Sequence, residues 1–227
     1  MASGIGFGNR KKRGYRRRRP MPALIFIGVL GMVAMVVWVR AIVSKADIDE
    51  TLRCDPPPAP VQGMTYTTLT HTALDDTAPL PPDRIAVTVL NASQMRGQAA
   101  ITTESLRQLG FAQIAPPEND PAYAGVQEAK CRGQIRFGDN GVSAARTLSI
   151  VVPCVELVKD TRADASVDLS IGSGFGDVRP TQQAQQVLQQ LQAWSAQHPG
   201  GAGGEQSASG KPVIDPALIS AARNVAC

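Results

Sequence analysis

Ile85-Ala86-Val87-Thr88-Val89-Leu90-Asn91-Ala92-Ser93, followed by Gly97-Gln98-Ala99-Ala100-Ile101 and, further on, Leu109-Gly110-Phe111, sets the fold of this chain. Residues 85–90 carry no charge and are mostly aliphatic, which predicts a strand buried on both faces. Asn91-Ala92-Ser93 supplies turn residues at its end, and happens also to spell a glycosylation sequon. After Gly97, the residues Ala100, Ile101, Leu106 and Leu109 can share a helical face, and Gly110 stands where helices commonly end. Phe111 to Ala115 is a second short strand, stopped by Pro116-Pro117. Strand, helix and strand in about thirty residues match a βαβ unit.

The pattern continues downstream. Gln134 to Phe137 is a third strand. Gly138-Asp139-Asn140 caps a helix carrying Val142, Ala145, Leu148 and Val152, which Pro153 ends. Val155 to Val158 is a fourth strand, and Val167 to Ile171 a fifth with strict alternation. Thr181 to Gln197 aligns Ala184, Val187, Leu188, Leu191 and Trp194 in one apolar stripe, suited to packing on the domain or to docking a partner. The expected class is α/β (α+β): a compact βαβ-containing domain over 84–178, an amphipathic helix over 179–198, a Gly-rich linker over 199–211 and a C-terminal helix within 212–227.

Upstream, eight Arg/Lys residues lie between Arg10 and Arg19, and the run from Met21 to Val39 has no charge. Residues 1–20 read as a basic cytoplasmic tail beside anionic inner-leaflet lipid, and 21–43 as a single membrane-spanning helix. A cleaved signal peptide is the alternative, but the run exceeds the usual ~7–15 residues of such segments and no Ala-x-Ala site follows. The chain then enters N-terminus inside and delivers its C-terminal domain outside the membrane. Residues 44–83, with proline clusters at 56–60 and 79–82, read as an extracytoplasmic stalk in which the Thr-rich, β-prone Thr65 to Thr70 is a short strand or an extended arm. Residues 1–45 carry a net +10 and the remainder a net −6. An acidic exported part argues against nucleic acid as a partner.

All four cysteines fall in that exported part, which predicts two disulfides. Of the three possible pairings the preferred one is Cys131–Cys154, at the starts of consecutive strands, with Cys54–Cys227 tying the stalk to the last residue. No C-x-x-C spacing is present and His71 and His198 are the only histidines, so neither metal nor cofactor is implied. Gly172-Ser173-Gly174-Phe175-Gly176 lacks the Lys-Ser/Thr of a P-loop and reads as a glycine-rich exit loop. Asp139, Glu156, Asp160 and Asp168 are scattered over cap and strand-surface positions, and no catalytic triad is evident; the chain does not read as an enzyme. The binding candidate is the turn Asn91 to Gly97, with Asn91, Ser93 and Arg96 at a helix N-terminus, and Arg136 and Arg146 as a second basic spot. The competing reading is a capped turn with solvated arginines.

Val87-Thr88-Val89-Leu90-Asn91-Ala92-Ser93, Gly97-Gln98-Ala99-Ala100 and Leu109-Gly110-Phe111 together resemble the opening of the LytR C-terminal domain family, and the strand from Val167 to Gly172 is similar to the family's closing strand. The resemblance covers roughly 84–176. The domain commonly accompanies enzymes that attach glycopolymers to peptidoglycan, but no Arg-rich catalytic domain precedes it here. The resemblance implies a non-enzymatic role in envelope integrity, through binding a cell-wall polymer or a wall-assembly protein. The alternative it implies is a regulatory subunit of a glycopolymer ligase.

Overall fold

The computed structural model describes residues 21–57, 61, 63–123, 128–199 and 211–227, with the backbone alone at 21–24 and 42–47. The basic tail and positions 200–210 of the linker lie outside the described residues. The chain divides into two units, residues 1–44 and 45–227. Helix α1 (Met21–Leu52) forms where the uncharged run predicts it and ends inside the second unit. Between Ile25 and Val39 its large apolar side chains are exposed on every side. Among the described residues no helix is long and apolar enough to cross a membrane. The longest unbroken stretch of described side chains in this helix is 25–41, short of the ~20 residues a span requires.

The second unit is built on one mixed sheet of seven strands. They are β1 (Thr67–Leu69), β2 (Ala86–Asn91), β3 (Gln113–Ile114), β4 (Glu118–Asn119), β5 (Gly133–Phe137), β6 (Glu156–Lys159) and β7 (Val167–Ile171). Their order is β1-β6-β5-β7-β2-β3, with β4 also on β2. The βαβ unit expected from the sequence is present: α2 (Gln98–Gln108) links β2 to β3 in parallel, and Gly110 at φ +94° ends the helix. A second parallel crossover runs from β5 through α3 (Val142–Val151) to β6. β7 joins the two, parallel to β2 and antiparallel to β5.

Alternation decides what each face does. Val87, Val89, Ile135, Phe137, Leu157, Val167, Leu169 and Ile171 share one core cluster with Leu106, Phe111 and Leu148 from the helical side. β2 is buried on its odd-numbered side, where the helices pack, and only in part on the other, where Leu90 is buried, Thr88 half-buried and Ala86 exposed. The stripe of α4 (Gln182–Gln197), capped by Thr181 Oγ1 on the Ala184 N–H, packs within the chain. Ala184, Val187 and Leu191 meet Ile150, Ile214 and, from α5 (Pro216–Arg223), Ile219 and Ala222.

Two expectations need correction. Residues 44–83 are not a free stalk, since Thr67–Leu69 pairs with β6, Leu74 is buried in the main core and Pro82 is buried too. The cysteines pair as Cys54–Cys131 and Cys154–Cys227, with Cα separations of 5.0 and 5.3 Å, and not as Cys131–Cys154 and Cys54–Cys227. β5 and β6 are parallel, so the two strand starts do lie at one end. Neither cysteine belongs to those strands, however: each sits in the segment that precedes one, and each meets a cysteine from outside residues 84–178. Cys131 then meets Cys54 in a cluster with Ala92 and Tyr123.

The glycine-rich exit loop is explained by close backbone approach. Gly172 N–H donates to Arg132 O, Ser173 N–H to Ala129 O and Gly174 N–H to Cys131 O, leaving no cradle for a phosphate. A Cβ at Gly172 would sit 2.3 Å from Cys131 O and 2.7 Å from Ala129 O, both backbone atoms. Gly172→Ala is expected to cost about 1–3 kcal/mol, read as a lowered urea midpoint at unchanged m.

His71 adds a pH dependence. Its Nε2 lies 3.1 Å from Pro153 O, and burial, then Arg223, lower its pKa, while Asp49 and Asp75 pull the other way. The folded state thus binds this proton less readily than the unfolded chain, whose histidine titrates near pH ~6.5. Stability is expected to fall as pH drops below that value, and His71→Gln should flatten this part of the urea-midpoint profile.

Candidate functional site

The turn after β2 is built by its own side chains. Asn91 Oδ1 accepts from the Ser93 N–H (3.1 Å) and Ser93 Oγ (2.8 Å), and Asn91 Nδ2 donates to Met95 O (2.9 Å). Ser93 Oγ accepts from the Met95 N–H and lies 2.5 Å from Gln98 Oε1, whose Nε2 donates to Phe175 O. These bonds hold Gln94 and Gly97 at φ +59° and +81°. Asn91 and Ser93 are therefore committed to shaping the turn. Asn91→Ala is expected to cost about 1 kcal/mol, measured by chemical denaturation.

What the turn presents outward is different. Arg96 is exposed and has no bonded partner among the described residues, and Met95 beside it is half exposed. Gly97 begins α2 without a side-chain cap. A hydroxyl-rich or anionic ligand would find N–H groups and one guanidinium here.

Arg136 is elsewhere. The even-numbered sheet face carries Glu156, Gln134 and Ser170 side by side, by the register of β6, β5 and β7, with Arg136 in the next row. All four are nearly sealed from solvent, as is Asp120. Arg136 Nη1 and Nη2 meet Asp120 Oδ1 and Oδ2 at 3.1 and 2.9 Å, while its Nε and Nη2 reach Gln134 Oε1. Its guanidinium carbon lies 5.3 and 5.8 Å from the ring centroids of Tyr66 and Tyr123. Burial pushes the Tyr123 hydroxyl up to about 12, and that hydroxyl donates to Asp55 O. Glu156 accepts from Gln134 Nε2 (2.7 Å), Thr68 Oγ1 (3.1 Å) and the Cys54 N–H (3.2 Å).

This network fastens Cys54, Asp55, Tyr66 and Thr68 to the sheet and offers no open cation. Arg136 and Arg146 do not form a common basic spot: Arg146 lies on α3 and bonds Asp75. The sequence reading missed Asp120, Gln134, Glu156 and Ser170 as a group. Their signal is polar residues at alternate strand positions, which a solvent-facing strand shares.

A family model described as LytR cell envelope-related transcriptional attenuator matches residues 84–175, from just before β2 to Phe175 in the exit loop. The cell envelope integrity protein Cei of Mycobacterium tuberculosis is 42% identical over 183 residues, 79% of this chain and 83% of that protein. The chain belongs to the LytR C-terminal domain family. The crystal structure of the soluble domain of a secreted protein from Mycobacterium marinum superposes with a TM-score of 0.58 at 37% identity, covering 71% of this chain and 97% of that one. In this member of the family the aligned region includes the whole turn and the polar sheet face. It is a homologue of a cell envelope integrity protein, with two disulfides tying its LytR C-terminal domain to the segments before and after it.

Proposed function

We propose that this chain is a non-enzymatic, membrane-anchored protein of the cell envelope, which holds its LytR C-terminal domain outside the membrane to bind a wall polymer or a wall-assembly protein. The observation that carries the reading is the relationship to Cei over most of both chains. The anchor is supported by the basic tail and by α1, whose side chains from Ile25 to Val39 offer apolar surface all round and need an apolar surrounding. Export is supported by the cysteines, all of them paired and all beyond the helix. Wall contact is assigned to Arg96 and the uncapped start of α2, with Asn91 and Ser93 as positioning residues and Arg136 as a structural one.

Location is tested with the full chain in its own cells. The protein should stay in the membrane fraction after carbonate washing, and protease added to spheroplasts should remove the domain while sparing the basic tail. Release by carbonate, or protection from external protease, contradicts the anchored, outward-facing arrangement.

A further inference from the structure

A second charged cluster lies apart from the turn and from the polar sheet face. Arg146 of α3 and Arg223 at the end of α5 both donate to Asp75 Oδ1, at 2.8 and 2.5 Å. Arg146 Nη2 also reaches Asp75 O, and Arg223 Nη2 reaches His71 O. Both guanidinium side chains are sealed, 4% and 6% exposed, while Asp75 is 47% exposed. Two cations thus share one carboxylate oxygen, and each keeps a buried Nε–H without a partner among the described residues. Burial of an incompletely paired cation is costly, so the pair is short of negative charge as it stands.

The two arginines line a cavity of about 910 Å³, within the range of small-molecule sites. Most of the remaining wall is apolar: Ile48, Pro79, Val213, Ile214 and Ile219 contribute. Val213 is 94% and Ile48 40% exposed, so apolar surface continues outward. Asp49 and Asp76 line the same cavity, and His71 faces it too. Counting Asp75, the wall therefore carries three acids against two bases, with the positive charge confined to the arginines. A polyanion is repelled by such a wall, whereas a ligand with one anionic group on an apolar body fits it.

The chain itself names a source of such molecules. Ile48 follows Val43, the last residue of the expected span, by five positions.

We infer that this cavity binds the singly charged phosphate head of a membrane lipid on Arg146 and Arg223, with the start of its apolar chain along Ile48, Val213 and Ile219. The site rests on the anchored reading for its supply of lipid but not for its chemistry.

The test uses the full chain purified in a nonionic detergent. Native mass spectrometry counts bound dihexanoyl phosphatidylglycerol, with phosphate-free dihexanoylglycerol and inorganic phosphate as separate arms. The expected result is one saturable phosphatidylglycerol per chain, with both controls at least about tenfold weaker, since charge and apolar contact each contribute. Val213→Glu, at an exposed rim position where folding is not at stake, should weaken binding about tenfold by placing a charge against the start of the apolar chain, and Arg223→Gln should do so by removing a cation from the head group. The inference is overturned by no saturable binding, by equal binding to wild type and Val213→Glu, or by inorganic phosphate binding as tightly as the lipid. This outcome separates from the anchor: carbonate release in cells with intact lipid binding removes the anchor and leaves the site.

Discussion

Replacing Arg136 by methionine is expected to cost about 3–5 kcal/mol, enough to leave much of the chain unfolded at 37 °C, because Asp120 would stay buried without its cation. Asp120 also accepts from the Ala122 N–H and pairs with Ser170 Oγ, so its charge cannot simply turn toward water. Removing both charges together is a different experiment. Arg136→Met with Asp120→Asn should recover a large part of the loss, since no uncompensated charge remains. A urea melt of the two single variants and the double gives the coupling directly. Additive losses would mean that the pair does not act as a unit.

The second large effect concerns the bridges. Each closes a long loop, with sequence separations of 77 and 73, and each is expected to contribute roughly 2–4 kcal/mol. Cys54→Ser with Cys131→Ser should release the chain between α1 and β1 from the polar sheet face, where the Cys54 N–H bonds Glu156. Cys154→Ser with Cys227→Ser should instead loosen the C-terminal residues beyond α5, which Arg132 also holds through Cys227 O. Non-reducing peptide mapping should recover Cys54 joined to Cys131 and Cys154 joined to Cys227. A peptide joining Cys131 to Cys154 would contradict the pairing in the fold.

Much of the helical side of the sheet was legible in the sequence. Val87 and Val89, and Val167, Leu169 and Ile171, alternate as a half-buried strand must, and the α4 stripe needs only a 3.6-residue period. The other face was not legible. Gln134, Arg136 and Glu156 alternate just as solvent-facing residues do, and what covers them arrives from far away along the chain. The hydrogen bonds from Cys54 and Thr68 to Glu156 span 102 and 88 residues. Local pattern reports which residues share a face but not whether that face is wet. Within residues 44–83 the β-prone Thr65–Thr70 was legible as a strand or an arm and does pair at the sheet edge as Thr67–Leu69, whereas the prolines around it argued for a spacer. At the turn, Asn91 and Ser93 were correctly singled out as turn formers, and the structure separates that role from the exposed Arg96.

The most direct test of wall binding is co-sedimentation of the full chain, in detergent, with protein-free cell-wall sacculi, beside Arg96→Ala. Arg96 makes no bond within the described fold, so its loss should leave the urea midpoint unchanged and read only on binding. The account predicts saturable pelleting that Arg96→Ala weakens about tenfold, the loss of one charge-assisted contact. Wild-type protein that stays in the supernatant at high micromolar concentration would contradict direct wall binding.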